Sequence, residues 1–159
     1  MKNKILIFFA FVALGLMSCD LGDDPAVGGT ATQAMAGEWW VTFSIGGEDL
    51  TGYTLTTTSN TAANSTSEFL VTDNANAWDY KVKCPINLDA KTFSGTSLAN
   101  LTYDITVNIT DGKILPGAAT TTGGNVTDSI YFKVEFSDDP GNLYEVAGYR
   151  RTGFLEDEH

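Results

Sequence analysis

Positive charge is scarce in this sequence. Its 159 residues include nine lysines and arginines against twenty aspartates and glutamates, which gives a formal net charge of −11. The few basic residues do not cluster into a patch. Because an acidic surface repels phosphate, nucleic acids and anionic lipid head groups are not expected as electrostatic partners.

Cysteine is scarce as well, with Cys19 and Cys84 the two in the chain. If Cys19 is covalently modified, no intramolecular disulfide can form and stability must come from a hydrophobic core. The roughly 140 residues from Cys19 onward suffice for one domain that buries about two thirds of its unfolded surface. Cys84 ends an alternating run and is interpreted as a small buried core residue, with a functional thiol as the alternative.

The apolar run near the start is too short to span a bilayer. Ile5 to Met17 holds thirteen residues without a polar group, whereas a spanning helix needs about twenty. With two lysines before it, this run is typical of a signal peptide, predicted here as residues 1–18. An ordinary secretory signal is the alternative, but no A-x-A-like cleavage site precedes Gly28.

The end of this run carries the first resemblance. Leu16, Met17, Ser18 and Cys19 resemble the bacterial lipobox, which implies cleavage before the cysteine and attachment of acyl chains such as palmitate to it. Two or more chains would hold the protein on a membrane durably, because each buried methylene contributes about 0.8 kcal/mol. Cys19 is therefore the predicted lipidation site, and the membrane is the first predicted partner.

Residues 19–36 are predicted to form a flexible tether. They are rich in Gly, Ala, Thr and Asp and contain no aromatic residue, so they cannot bury much apolar surface. Three early aspartates resemble the export signal that sends some Gram-negative lipoproteins to the outer face of the outer membrane; solvated linker charge is the alternative. The predicted location is the cell envelope, at the outer membrane with possible surface exposure, and a single domain is expected over 37–159.

The remainder alternates with a period of two and shows no convincing helical period. In residues 102–110, apolar side chains from Tyr103 to Ile109 share one face and threonines, Asp104 and Asn108 share the other. Similar strands are expected at 38–45, 68–72, 78–84 and 130–136, and less regular ones at 53–58, 91–94, 113–115 and 143–151. Twenty-one threonines suit such strands.

Two segments are predicted to form hairpin turns. The Asp111-Gly112 pair in TDGK and the Pro-Gly pair in SDDPGNLYE both separate alternating runs. Eight or nine short strands joined by tight turns predict an all-β antiparallel meander, either a barrel or a sandwich.

The two ends of this region favour the barrel. The first strand begins Gly37-Glu38-Trp39, and the last ends in YRR. This resembles lipocalin-like barrels, in which a guanidinium packs across the tryptophan and plugs one end through a cation–π contact of about 0.5 to 2 kcal/mol. Parity selects Arg150, because it continues an uncharged row of side chains whereas Arg151 continues a row containing Glu145. The predicted plug is Trp39 with Arg150.

A wider resemblance covers most of the mature chain. The segments SEFLVTDNANAWDYKVKCPINLDAKTFSG, DSIYFKVEFSDD and YRRTGFLEDE resemble small bacterial lipoproteins described as lipid-binding putative hydrolases, which are compact lipocalin-like (calycin-type) β-barrels. The resemblance implies a bound apolar ligand. The inward rows supply the candidate ligand-binding residues: Phe43, Phe69, Trp78, Tyr80, Tyr103, Ile105, Phe132 and Phe136.

The hydrolase part of that description lacks a matching motif. Hydrolysis needs a nucleophile beside a base, and the one histidine is the final residue, His159. Ser97 lacks the second glycine of a G-x-S-x-G elbow. Carboxylates remain as candidates (Asp73, Asp79, Asp104 and Asp128), and the loops lack calcium-site spacing. No catalytic residue, metal or cofactor is predicted, and a weak hydrolase is kept as a third alternative function.

The main prediction is therefore a monomeric, membrane-anchored lipoprotein that binds a small, lipid-like ligand in or at the mouth of a barrel. The alternative is a surface-displayed interaction or carbohydrate-contact module with a filled barrel, because Trp40 and Tyr131 fall on the solvent face by parity. An interior cavity of roughly 300 Å³ or more would favour the first function, and a filled interior would favour the alternative.

Overall fold

The computed structural model describes residues 28–159, and its architecture is all-β. Nine strands follow one another along the chain: β1 (Gly37–Ile45), β2 (Glu48–Asp49), β3 (Thr54–Asn60), β4 (Glu68–Thr72), β5 (Lys81–Asn87), β6 (Thr92–Ala99), β7 (Thr106–Thr120), β8 (Val126–Phe136) and β9 (Tyr144–Arg150). A short 3₁₀ turn, Leu155–Asp157, follows the last strand. From Gly28 onward the chain forms no helix that is long and apolar enough to cross a bilayer.

Eight of these strands form a closed up-and-down barrel, as predicted. Each strand from β3 to β9 pairs antiparallel with the next, and β1 pairs with both β3 and β9. The two-residue strand β2 adds a short hairpin to the end of β1, through Gly46 and Gly47 at φ +58° and +87°. Positive φ at both turn residues is what a two-residue hairpin of this type requires, and glycine adopts it without strain.

The alternating sequence pattern places one row of each strand inside the barrel. In β8, every second residue from Ile130 to Phe136 is buried, and the intervening residues are half-buried on the outer wall. The described core is one continuous cluster: Met35, Trp39, Val41, Phe43, Phe69, Val71, Tyr80, Val82, Cys84, Phe93, Val107, Ile109, Ile114, Ile130, Phe132, Val134, Phe136 and Val146. This cluster lies inside the barrel that the strands enclose.

Closure depends on a close approach between the first and last strands. β1 and β9 pair over six positions, from Trp39 opposite Arg150 to Ser44 opposite Glu145. A Cβ at Gly148 would lie 1.9 Å from the carbonyl oxygen of Trp40, so only glycine fits at that point of the seam. The seam removes the sheet edges that would otherwise remain unpaired.

The prediction of a hairpin turn at Asp111-Gly112 is wrong. These residues form a β-bulge inside the long strand β7, where β7 gains one residue relative to both neighbouring strands. Asp111 has φ +55°, and a Cβ at Gly112 would lie 2.3 Å from the carbonyl oxygen of Phe93. The pair therefore bends a strand past its neighbour instead of reversing the chain. The second predicted turn, in 137–143, does join β8 to β9.

The predicted strand over 102–110 begins later than expected. The backbone bends through 101–104 and the Ile105 amide donates to the Tyr103 carbonyl, so regular pairing starts at Thr106. Tyr103 is 39% exposed and does not belong to the inward row, which corrects the prediction. Ile105 is half-buried and packs against the core. Tertiary contacts to loop 73–80 override the local alternation here.

The tether is shorter than predicted. Residues 30–35 form a turn in which the Met35 amide donates to the Thr32 carbonyl at 2.8 Å. Thr32 and Met35 are fully buried, and the Met35 side chain joins the core. The domain therefore begins before Gly37, because the barrel end needs an apolar side chain to cover it. The signal peptide and residues 19–27 of the predicted tether, including Cys19, lie outside the described residues.

Trp40 points out of the barrel but is not exposed, which corrects a second prediction. Its exposed fraction is 9%, because residues 151–159 fold back over the outer wall and place His159 edge-on to its ring. Asp157 holds this segment: it accepts hydrogen bonds from the Gly123 amide and from the side chains of Asn125 and Thr152. Although burial opposes ionisation, hydrogen bonding to the Thr121 side chain and these three bonds lower the pKa of Asp157 to about 2.

Candidate ligand-binding site

One end of the barrel is closed by Trp39 and Arg150, the pair selected from the sequence. The Arg150 guanidinium lies 4.5 Å from the Trp39 ring centroid. It also donates to the Asp128 carboxylate at 3.1 Å and to the Ala36 carbonyl at 2.6 Å. A Cβ at Gly37 would lie 2.5 Å from Arg150 Nη1, which explains the glycine two residues before the tryptophan. This end, with the 30–36 turn packed on it, is called the plugged end.

Hydrogen bonds fix the tryptophan within the plugged end. Trp39 Nε1 donates to Thr58 Oγ1 at 2.8 Å, and that hydroxyl donates to the Met35 carbonyl at 2.7 Å. Both groups are buried, so satisfying their polar atoms avoids a desolvation cost of about 1 to 3 kcal/mol each. The plugged end is therefore a rigid lid, built from both ends of the domain.

The barrel interior is filled by side chains. The inward residues Phe69, Tyr80, Phe132 and Phe136 are fully buried. Their rings form two groups of contacts. Phe93 lies between Phe69 at 5.2 Å and Phe132 at 5.6 Å, and Tyr80 packs on Phe136 at 5.3 Å between centroids. An eight-stranded barrel is just wide enough for such packing. The described interior leaves no room for a lipid chain beside these rings.

Cys84 belongs to this packed interior, in agreement with its interpretation as a core residue. It is free and fully buried, and burial raises the pKa of its thiol to about 12. A thiol in that environment stays protonated and unreactive at neutral pH.

The opposite end, called the mouth, is formed by four loops: residues 46–53, 73–80, 100–105 and 137–143. It holds an open cleft of about 150 Å³ lined by Phe43, Leu50, Thr51, Ala77, Trp78 and Tyr144. The first loop is tied to β1, because the Leu50 amide donates to the Phe43 carbonyl and the Phe43 amide donates to Thr51 Oγ1. The cleft therefore has a fixed wall on the β1 side.

A buried carboxylate holds the second wall. Asp73 is fully buried, and one of its oxygens accepts from the amides of Ala77 and Trp78 at 2.6 and 2.8 Å while the other accepts from Thr56 Oγ1. Burial raises the pKa of Asp73, and these hydrogen bonds partly oppose that shift. Asp73 therefore acts as a positioning residue that fixes the loop carrying Trp78.

Trp78 is the central side chain of the mouth. Its ring stacks on Phe136 at 4.5 Å with a 4° interplanar angle, so it rests on the top of the packed interior. Its Nε1 donates to the Tyr103 hydroxyl at 3.0 Å, which in turn donates to Asp138 at 2.8 Å. Tyr144, on the far wall, donates to Asp139. The cleft thus has an aromatic floor and hydrogen-bonded aromatic walls.

The eight predicted ligand-binding residues divide between the interior and the mouth. Phe43 and Trp78 line the cleft. Tyr103 supports Trp78 from outside, and Ile105 packs against the core below it. The other four, Phe69, Tyr80, Phe132 and Phe136, are packed core. Sequence reasoning missed Leu50, Thr51, Ala77 and Tyr144. Of these four, only Tyr144 could have been found from the sequence, because it begins the alternating apolar row of β9.

Larger hollows exist on the outside of the barrel. One, of about 620 Å³, lies against β6, β7 and β8 and is lined mainly by polar and charged groups, among them Asp111 and Lys113. Tyr131 borders it, and Lys113 Nζ lies 5.0 Å from its ring. With Trp40 covered and Tyr131 capped by a lysine, the two rings do not form a shared exposed patch. A second hollow, of about 610 Å³, lies between the turn at residues 30–35 and Arg150.

Of the residues considered for hydrolysis, Asp73, Asp79 and Asp104 lie in loops of the mouth, whereas His159, Asp128 and Ser97 lie elsewhere on the barrel. His159 lies on the outer wall, where Nε2 bonds the Tyr149 hydroxyl and the ring stacks on Tyr53 at 4.1 Å. Asp128 is paired with Arg150 at the plugged end. Ser97 is in β6, where its amide donates to Asn108. Among residues 28–159, no three His, Cys, Asp or Glu side chains group to hold a metal ion.

Fold and site together define a small lipocalin-like barrel with one plugged end, a filled interior and a shallow aromatic mouth. The model of the family described as "Lipid-binding putative hydrolase" matches residues 24–155, so the chain belongs to this lipid-binding family. No curated protein matches the chain.

The contact between Arg150 and Trp39 predicts an energetic coupling. In a double-mutant cycle with Arg150→Met and Trp39→Leu, we expect a coupling of about 0.5 to 2 kcal/mol in the free energy of urea unfolding. A matched cycle with Arg151→Met tests the neighbouring arginine, which lies over Trp40 on the outer wall. That cycle should show little coupling to Trp39, and equal coupling in both cycles would contradict the plug.

The position of Asp73 predicts an asymmetry between two aspartates of one loop. Asp73→Ala leaves the amides of Ala77 and Trp78 without their acceptor and should lower the free energy of unfolding by about 1 to 3 kcal/mol. Asp79→Ala, at an exposed position six residues later, should change it by less than about 0.5 kcal/mol. Urea titrations of both variants measure this, and coincident midpoints would refute the positioning role.

Proposed function

We propose that this chain is a lipid-anchored protein of the cell envelope that binds a small apolar ligand at the mouth of its barrel. The observation that carries the proposal is the aromatic cleft above a filled interior. Family membership supports an apolar ligand, and the packed interior leaves the mouth as the place where one could bind. Binding of an apolar ligand at this site does not require a catalytic residue.

The size of the cleft limits what it can enclose. Ligand pockets usually measure about 300 to 1,000 Å³, about twice the size of this cleft or more. It suits the end of one acyl chain or a single ring, with the rest of the ligand lying across the rim. Exposed Leu50, Leu101, Leu143 and Tyr103 extend the apolar surface around it. Each methylene buried there contributes about 0.8 kcal/mol, so binding should strengthen with chain length until the cleft is full.

The proposed anchor is compatible with this site. The described chain starts at the plugged end, since Thr30 to Ala36 pack there. An acylated Cys19 would therefore attach the barrel through the end opposite the mouth and leave the mouth free to meet a ligand. Outer-membrane location and surface exposure belong to this proposal, and a monomer suffices for it because the barrel closes within one chain.

The ligand site is tested with residues 20–159 and a neutral apolar dye, N-phenyl-1-naphthylamine, whose fluorescence rises on leaving water. We expect wild-type binding that Trp78→Ala weakens at least tenfold, because about 1.4 kcal/mol of ring contact corresponds to a factor of ten. Tyr131→Ala removes an aromatic ring from the outer wall and should leave the affinity unchanged. Absence of dye binding to the wild type, or equal losses in both variants, would refute a ligand site at the mouth.

The anchor is tested in the native host. Growth with a labelled palmitate analogue should label the wild-type protein in the membrane fraction, and Cys19→Ser should abolish both the label and the membrane association. A mature protein whose amino terminus is not an acylated Cys19 would contradict this part of the proposal and leave the ligand site unaffected.

A further inference from the structure

The mouth is surrounded by acidic residues. We propose that it selects amphiphiles with a cationic ammonium head group over those with an anionic one; this inference rests on the proposed function. The head group would lie at the rim and the alkyl end in the cleft. Two features carry the inference: carboxylates placed directly behind the cleft walls, and the absence of a basic side chain from the four loops of the mouth.

Two carboxylates of the mouth are hydrogen-bonded to its aromatic side chains. Asp138 accepts a hydrogen bond from the Tyr103 hydroxyl, and that hydroxyl accepts one from Trp78 Nε1 at 3.0 Å. Asp139 accepts a hydrogen bond from the Tyr144 hydroxyl. Each carboxylate therefore lies at most two hydrogen bonds from a ring that lines the cleft. The bond from Tyr144 lowers the pKa of Asp139, and it raises the pKa of Tyr144 to about 12. At neutral pH the phenol stays a donor and the carboxylate stays charged.

Other charges around the mouth have the same sign. The four loops also carry Glu48, Asp49, Asp79 and Asp104, all exposed. The ion pairs found among residues 28–159 involve acidic residues elsewhere, at positions 38, 111, 128 and 158. The basic residue nearest to these loops along the chain is Lys81, at the start of β5. A site surrounded by charge of one sign concentrates ligands of the opposite sign.

The rings of the mouth suit an ammonium group independently of the carboxylates. Tryptophan is the aromatic residue that attracts cations most strongly, and Trp78 is half-buried beside Tyr144, with ring centroids 5.8 Å apart. An ammonium at the rim would meet these electron-rich rings and the carboxylates behind them. An alkyl sulfate or carboxylate would lose its hydration there without gaining a donor from a basic side chain.

The test compares three amphiphiles with the same dodecyl chain: dodecyltrimethylammonium, dodecyl maltoside and dodecyl sulfate. Each competes for residues 20–159 with the neutral dye, below its micelle concentration and in about 0.15 M salt, which screens charges beyond about 8 Å. We expect the ammonium compound to bind at least tenfold more tightly than the sulfate, with the maltoside between them.

Two double variants separate local from overall charge. Asp138→Asn with Asp139→Asn keeps an acceptor for each tyrosine and should reduce the tenfold preference to threefold or less, while the maltoside still displaces the dye. Glu68→Gln with Asp89→Asn removes the same charge near the plugged end and should preserve the preference. Circular dichroism establishes that both variants are folded.

The outcomes distinguish this inference from the proposed function. If the maltoside binds but the sulfate binds as tightly as the ammonium compound, the selectivity is refuted and the apolar site stands. If both double variants reduce the preference equally, overall charge explains it and the selectivity of the mouth is refuted. If none of the three amphiphiles displaces the dye, the proposed function fails and the inference fails with it.

Discussion

The pairing of β1 with β9 is the constraint on which the rest of this structure depends. It closes eight strands into a barrel whose radius is set by strand number, and at that radius the inward side chains meet across the axis. Gly148 permits the close approach of the two strands. The same seam places Trp39 opposite Arg150, so closing the sheet also assembles the plug. Without closure, neither the filled interior nor the lid would form.

The filled interior limits where a ligand could bind. The aromatic rings from Phe69 to Phe136 stabilise the fold by packing against one another, and a ligand could enter only by displacing them. One end is closed by a hydrogen-bonded tryptophan and an arginine. What remains is the mouth, where Trp78 covers the last core ring and Asp73 holds its loop in place. The site is therefore shallow because the barrel is narrow.

Much of this fold could be predicted from the sequence, because strand alternation is a local property. The rows of β1, β4, β5 and β8 and the turn between β8 and β9 are where the alternation places them. The wrong predictions share a non-local cause. Asp111-Gly112 has the composition of a turn, but it forms a bulge where β7 passes close to Phe93. Trp40 points outward, as its position in the alternation predicts, but the C-terminal segment covers it. Met35 is buried because the barrel end needs covering.

The site was less predictable than the fold. Leu50, Thr51 and Ala77 lie in irregular loops, where no period indicates which side chain faces the cleft. Whether the interior was open or filled depended on how ring sizes on different strands match across the axis. That match is a property of the closed barrel and not of any one segment.

The central claim is that an apolar ligand contacts the mouth while the interior stays packed. Amide and methyl NMR shift mapping with a dodecyl ligand tests it most directly. The account predicts shift changes centred on Phe43, Leu50, Ala77, Trp78 and Tyr144, with the deeper core residues Val41, Ile114 and Ile130 unchanged. Large changes at those three interior residues would show a ligand inside the barrel and contradict the account.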